Sequence, residues 1–445
     1  MKHPLVSRLL AIALLMLLLL IPLTMIGNLA SDRQQSRDSA LASIASSASG
    51  SQQVVGPLLI VPYTRLIPAQ GEVAAKEEHG QRVLLPTTFN AEVNAQTELR
   101  SRGIYDARLF HAAHTLSAHF DLTPGAGLEV DQGEYRFGTP YVVVGISDVR
   151  GIENDPQMTV NGKPGERFEP GAELGWLGDG IHAALPGVQT AEGASLDISL
   201  QLNLQGTGQW LIAPVGDNSH IALRADWPHP GFIGRFLPAQ RSITAQGFEA
   251  SWATTRLSSN LADTLRSCVK GHYCARVDDS SLGVDFVDPV DSYAQNSRAI
   301  KYGLLFIGLT FMGFFLFEVL KKVAVHPLQY ALVGLALAMF FLLLLSLAEH
   351  IGFAWAYAVS ALACIGLIGS YASHALQGRR NGWLLSAALA VLYGVLYVLL
   401  SAEDYALLMG AVLVFAMLGL FMTLTRRLDW YSVSPRRGAG GEHVQ

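Results

Sequence analysis

The last third of the chain constrains the fold most. Five apolar runs lie there, at about residues 302–320, 328–347, 353–375, 383–400 and 405–424. Each is near the ~20 residues a helix needs to cross a bilayer. The links between them are very short, and their charges alternate. "KKVAVHP" and "QGRRNG" carry Lys321, Lys322, Arg379 and Arg380, whereas "AEHIG" and "SAED" carry Glu349, Glu403 and Asp404 and no Lys or Arg. The tail adds Arg426, Arg427, Arg436 and Arg437. Basic loops stay in the cytoplasm, so the alternation orients every span consistently. A sixth run, residues 9–26, follows Lys2 and Arg8, which places the N-terminus inside as well. It exceeds the apolar core of a cleaved signal peptide, and Asn28 stands in "GNLASD" where cleavage wants a small residue. An uncleaved anchor is therefore expected. The resulting layout is a cytoplasmic N-terminus (1–8), a first transmembrane helix (9–29), a periplasmic domain (30–301), helices two to six (302–424) and a cytoplasmic tail (425–445). Only 15% of residues are charged, against roughly 25% in soluble domains, which agrees with a six-helix membrane bundle.

The insertion between the first and second spans reads differently. Residues 30–301 hold 21 Lys and Arg against 30 Asp and Glu, a net charge of −9. That balance disfavours an anionic polymer, and the chain's net charge of −5 gives no reason to expect nucleic acid. The stretch "SDRQQSRDSALASIASSASGSQQ" fits either a helix leaving the membrane or a tether. In "SLDISLQLNLQG" the residues Leu196, Ile198, Leu200, Leu202 and Leu204 alternate with polar ones, the period of a half-buried strand. "QWLIAP" and "HIALRADW" follow after turn signals, which suggests three antiparallel strands in a meander. "YVVVGISDV" is an apolar strand, and "VVGPLLIVPY" is another whose prolines suit an edge or a turn. The expected fold is mainly antiparallel β, in one or two sandwich-like units.

The sequence holds no P-loop, no H-E-x-x-H and no G-x-S-x-G, and no cofactor is implied. "HAAHTLSAHF" brings His111, His114 and His119 close in sequence. On a strand, His111 and His119 share a face about 26 Å apart while His114 points the other way, and a helix spreads the three, so a metal site is disfavoured. Cys268 and Cys274 in "CVKGHYC" would sit in an oxidising compartment, where a disulfide is the default and zinc with His272 lacks further ligands. "WPHPGFIGRFLPA" is the most constrained segment. Trp227, His229 and Phe232 there form either a rigid corner or a recognition patch of aromatics and a fixed His.

Two acidic residues border the apolar runs. Glu318 lies within a turn of the inner end of the second span, with Lys321 at i+3 and Lys322 at i+4. That spacing suits a Glu–Lys cluster closing a helix at the interface; a place in a conduction path is the sharper alternative. Glu349 and His350 hold the matching boundary at the outer end of the third span. No Asp, Glu, Lys or Arg lies near the middle of any run, which speaks against a coupled ion pump. Cys364 reads as a small apolar packing residue.

The stretches "VVGPLLIVPY", "DVRGI", "WPHPGFIGRFLPA", "KYGLLFIGLTFMGFFLFEVL", "HPLQYALVGLALAMFFLLLLSLAEHIGF" and "LDWYS" together resemble the CreD family of inner-membrane proteins of Gram-negative bacteria. The resemblance implies a cell-envelope role under a two-component regulator, linked to envelope integrity and the β-lactam response. It supplies no catalytic residues, and "CVKGHYC" is not part of its pattern. The expectation is a non-enzymatic envelope protein that contacts the lipid bilayer. Its external domain would recognise an unidentified periplasmic or membrane protein, or an envelope ligand. The alternatives are a transporter or channel component for an uncharged or lipid-like substrate, and a tethered periplasmic enzyme, against which the absent motifs speak.

Overall fold

The computed structural model describes residues 4–67, 76–127, 134–188, 193–261, 264–265, 280–286, 288, 292–321, 325–375, 378–401 and 406–426. The chain forms two compact units, Met1–Asp38 with Val290–Gln445, and Ser39–Pro289.

The first unit is helical. Its long helices are α1 (Pro4–Ser47), whose residues from Ser39 belong to the second unit, α2 (Ser292–Lys321), α3 (Pro327–Ile351), α4 (Phe353–Ala375), α5 (Arg379–Ser401) and α6 (Ala406–Thr425). Five of them are long and apolar enough to cross a membrane, and the apolar stretch of α6, Leu408–Thr423, is shorter. The 44 residues of α1 make a helix of about 66 Å at 1.5 Å per residue, twice the thickness of a hydrocarbon core. The polar stretch after residue 30 is therefore helix, not tether. Gly334 lets α1 approach α3, because a Cβ there would meet Leu19 and Phe311. Where α2 to α5 meet, aromatic edges fill the core: Phe306 and Phe340 lie 4.6 and 4.7 Å from the Tyr393 ring. The Tyr357 hydroxyl donates to the Tyr393 carbonyl at 2.7 Å, a partner that hydrocarbon could not supply. Cys364 is buried and its thiol contacts the Ala336 carbonyl at 3.4 Å, the packing role expected of it.

The second unit holds two sheets around one apolar core. The nine-stranded sheet runs, in spatial order, Pro230–Gly234 (β14), Leu282–Phe286 (β17), Gln209–Ile212 (β12), Gln52–Ile67 (β1), Tyr141–Ile146 (β6), Gly180–Ala184 (β10) and Glu169–Pro170 (β9). Lys76–Leu84 (β2) and Glu134–Phe137 (β5) also pair with β1. The eight-stranded sheet runs Gln240–Thr244 (β15), Gly247–Thr255 (β16), Asn218–Ala225 (β13), Thr88–Arg102 (β3), Tyr105–Leu122 (β4), Ala194–Thr207 (β11), Gln157–Val160 (β7) and Lys163–Pro164 (β8). The period-two pattern of β11 is realised, with Leu196, Ile198, Leu200, Leu202 and Leu204 all buried. Most pairings are antiparallel, but β1–β12 and β3–β13 are parallel, so the sheets are mixed.

Two expectations are corrected. The meander does not form: β11 and β13 belong to the eight-stranded sheet, while β12 between them pairs with β1 and β17 of the other. Gly208, at φ +76°, takes the chain from one sheet to the other. The turn residues signal a reversal, but the neighbour of β12 is decided by Gln52, Gln53 and Val54, far back in the sequence. The proline-containing β1 is not an edge strand either. It is central, because the prolines sit where the ladder breaks. Pro57 lies within the bulge between Val55 and Leu58, and Pro62 lies between the β6 pairing, which ends at Ile60, and the β5 pairing, which starts at Tyr63.

Candidate functional site

The segment "WPHPGFIGRF" carries the chain from β13 in one sheet to β14 at the edge of the other. The Arg108 guanidinium stacks 3.5 Å from the Trp227 ring centroid and pairs with Asp288 at 3.0 Å. The Trp227 indole N–H donates to the His229 carbonyl at 3.1 Å, across the prolines that hold this stretch extended. Phe232 packs edge-on against Phe248 and Trp252, at 5.9 and 6.0 Å. Trp252 in turn donates its indole N–H to the Phe236 carbonyl at 3.0 Å. Trp227 and Phe232 are thus half-buried in a built corner, while His229 is exposed.

The histidines of β4 divide as a strand divides them. His111 meets Glu153 at 2.7 Å and Glu98 at 3.1 Å; His119 meets Asp197 at 2.7 Å and Asp121 at 3.3 Å. Burial pulls the His111 pKa down, but its two carboxylate partners outweigh it and raise the value. The hydrogen bond to Asp197 raises that of His119. Among the described residues, no group of three His, Cys, Asp or Glu is arranged to hold a metal. His114 faces inward and is 2% exposed. Its Nε2 accepts from the Trp210 indole N–H at 2.8 Å, and its Nδ1–H donates to the Leu202 carbonyl at 3.2 Å. A neutral imidazole satisfies both, and burial pushes the pKa down to about 4. Because Trp210 lies on β12 and His114 on β4, this is a polar tie between the two sheets.

Glu318 departs from the expected exposed pair. It is 4% exposed, and its carboxylate accepts from the Tyr330 hydroxyl at 2.8 Å and from the Val325 N–H at 3.4 Å. The side chain of Lys321 and all of Lys322 lie outside the described residues. The connection that Glu318 grips leads into a capped helix. The His326 ring accepts from Leu328 N–H, and Gln329 reaches back to His326 N–H, with Pro327 at the first helical position. At the other end of α3, Glu349 accepts from the Tyr293 hydroxyl at 3.0 Å and lies 3.9 Å from Arg33 of α1. His350 is exposed and its ring contacts the Ser346 carbonyl at 3.2 Å. Cys268 and Cys274 lie outside the described residues.

The chain matches the family described as Inner membrane protein CreD over residues 4–431. The chain belongs to the CreD family. Inner membrane protein CreD of Escherichia coli (strain K12) is 37% identical to it over 446 residues, covering 99% of this chain and 97% of that protein. Among solved structures, an M1 zinc metallopeptidase from Deinococcus radiodurans has 13% identity over 39% of this chain and 40% of its own, with a TM-score of 0.20. So low a score carries no argument.

The "DVRGI" stretch of this CreD-family chain has a structural task that sequence patterns did not show. Asp148 accepts from Gly50 N–H at 3.0 Å and is clamped by Arg150 at 2.6 and 2.9 Å. The Arg150 guanidinium holds the Asp148 carboxyl below its ordinary pKa. Arg150 also donates to the Ser46 carbonyl at 2.6 Å, in the last turn of α1, where a cation suits the helix dipole. Gln52 donates to both the Asp148 and Gln205 carbonyls, at 2.9 and 2.8 Å. Gly151 is required beside them, since a Cβ would strike the Gln52 side chain and the Gln205 carbonyl. Apart from the local Asp148–Arg150 pair, the partners are about 100 to 150 residues apart in sequence, which is why no spacing rule reveals them.

Proposed function

We propose that this chain is a non-enzymatic inner-membrane protein with six spans, cytoplasmic termini and a periplasmic β unit. The β unit recognises an envelope component, and the protein supports envelope integrity and the response to envelope or β-lactam stress. The observation that carries this reading is the family match over residues 4–431, which takes in the helical and β units together. The alternating loop charges support the orientation. The polar and half-buried aromatic features of the β unit, set against bundle boundaries whose acids are tied to tyrosines, favour recognition by the β unit. Partners are the lipid bilayer and a periplasmic or membrane protein or envelope ligand.

The test has two arms. A deletion strain carrying this chain should regain survival under a β-lactam; failure at normal membrane levels of the protein overturns the stress role. Photo-crosslinkers on the β unit should trap a partner in native membranes. Partners trapped from the helical unit alone would move recognition to the bundle.

A further inference from the structure

The outward face of the eight-stranded sheet sets polar side chains and alanines in cross-strand register. One rank runs Ser251, Ala222, Glu92, Thr115, Gln201 and Gln157 across six strands. The next rank places Glu249, Arg224, Asn94 and Ala113 side by side. Each residue of these ranks has at least one inward-facing strand neighbour in the apolar core, so the ranks themselves face outward. Over β15, β16, β13, β3 and β4 the face dips into an open groove of about 640 Å³. It continues into a second hollow of about 470 Å³ that shares Asn94, Arg224, Ser242 and Glu249. From Glu92 to Gln96 the joint trough is about 13 Å long, and five strands make it about 19 Å wide.

The chemistry of the trough is narrow. Its floor is low because Ala113, Ala222 and Ser251 are small. Asn94, Thr115 and Gln240 make no side-chain hydrogen bond within the protein among the described residues, so their amides and hydroxyl present donors and acceptors together. The lining sets Arg224 and Arg241 against Glu92, Asp226 and Glu249, and Arg224 is closed onto Glu249 at 2.7 Å. Phe248 borders the second hollow but is turned into the core, and the surrounding domain is net negative. The net negative domain disfavours an anionic polymer, and a neutral chain of vicinal hydroxyls matches the donors and acceptors, its C–H faces meeting the apolar part of the lining at Ala113 and Ala222.

We propose that this trough binds a neutral, hydroxyl-rich glycan chain. The inference rests on the reading of the β unit as a recognition domain and names its ligand class and face. With no aromatic platform, the grip is a sum of many hydrogen bonds along an extended ligand.

The experiment uses the full chain in nanodiscs and saturation-transfer NMR, which reads weak binding. The probes are chitotetraose and maltoheptaose as neutral glycans, dextran sulfate as an anionic one, and a neutral tetrapeptide. Ala222→Arg fills the trough floor from an outward position, and Asn94→Ala removes an amide; thermal unfolding of each variant reports folding. At least one neutral glycan should bind, with about tenfold weaker affinity in Ala222→Arg at unchanged unfolding temperature. Absence of binding by both neutral glycans, or equal binding by Ala222→Arg, overturns the proposal. If Ala222→Arg unfolds, Asn94→Ala decides: unchanged glycan affinity there also overturns it. Trough-dependent binding of dextran sulfate or the peptide alone would reject the glycan class while leaving recognition by the β unit standing.

Discussion

Protonating His114 should loosen the two-sheet unit from inside. The neutral ring accepts from the Trp210 indole on one side and donates to the Leu202 carbonyl on the other, so a proton on Nε2 removes the only lone pair that the indole can use. Burial holds the folded pKa down to about 4, against 6.5 when the chain is unfolded. The unfolded state therefore binds the proton first as pH falls. The stability from keeping this ring neutral is complete above about pH 6.5 and is lost as pH falls toward about 4. Between about pH 7.5 and about pH 5 the loss comes to roughly 2 kcal/mol, at 1.36 kcal/mol per pKa unit. His111 and His119 work in the opposite sense. Their folded pKa values are raised, so their contribution is present below the unfolded value and is lost as pH rises through the folded one. A difference measurement separates the two effects. His114→Gln keeps an acceptor and a donor but cannot titrate. Urea unfolding of the purified full chain in detergent, followed by Trp fluorescence, should show the wild type losing about 2 kcal/mol more than the Gln variant on acidification. Equal losses would refute the inward, neutral imidazole. His114→Leu at neutral pH should cost about 1–3 kcal/mol, because it leaves the indole N–H buried without a partner.

Three further outcomes are expected. Glu318→Gln keeps an acceptor for Tyr330 and Val325 and should insert at normal levels. Glu318→Leu strands both donors and should cost about 1–3 kcal/mol, read as lower membrane abundance; equal abundance would show the grip on the α2–α3 connection to be idle. At the corner, Trp227→Ala and Phe232→Ala should increase protease sensitivity, by less than the ~3–5 kcal/mol of a fully buried aromatic, whereas His229→Ala should not; a sensitive His229→Ala would mean the exposed ring is structural after all. Cys268 and Cys274 should resist a membrane-impermeant thiol reagent until reductant is added, and immediate labelling would rule out their disulfide.

The helical unit was legible because lipid imposes one requirement, a run of apolar residues long enough to satisfy every backbone group internally, and that requirement is local. Glu318 was read as part of an interfacial Glu–Lys cluster; its burial was not legible, because the Tyr330 hydroxyl that meets it comes from the next helix. In the β unit, period two located β11, but β12, read beside it, belongs to the other sheet, and β13 lies in the same sheet paired with β3 and β16. A two-residue period fixes which face is buried; it says nothing about which distant strand lies alongside. The long β3–β4 hairpin hid behind weak signals, since its core face uses Ala91, Ala95, Ala112 and Ala118 between larger residues. The contacts of Asp148 with Gly50 and of Arg150 with Ser46, like the His114–Trp210 tie, were invisible for the same reason: each joins residues brought together by the tertiary fold alone.

Everything proposed for the β unit depends on its lying outside the inner membrane. The direct measurement is a set of topology reporters fused after Asn28, Lys322, Glu349, Arg380, Asp404 and Arg437. The fusions after Asn28, Glu349 and Asp404 should report the periplasm, and those after Lys322, Arg380 and Arg437 the cytoplasm. Reversal at any two of these sites would contradict the six-span arrangement and place the β unit on the wrong side for the envelope role.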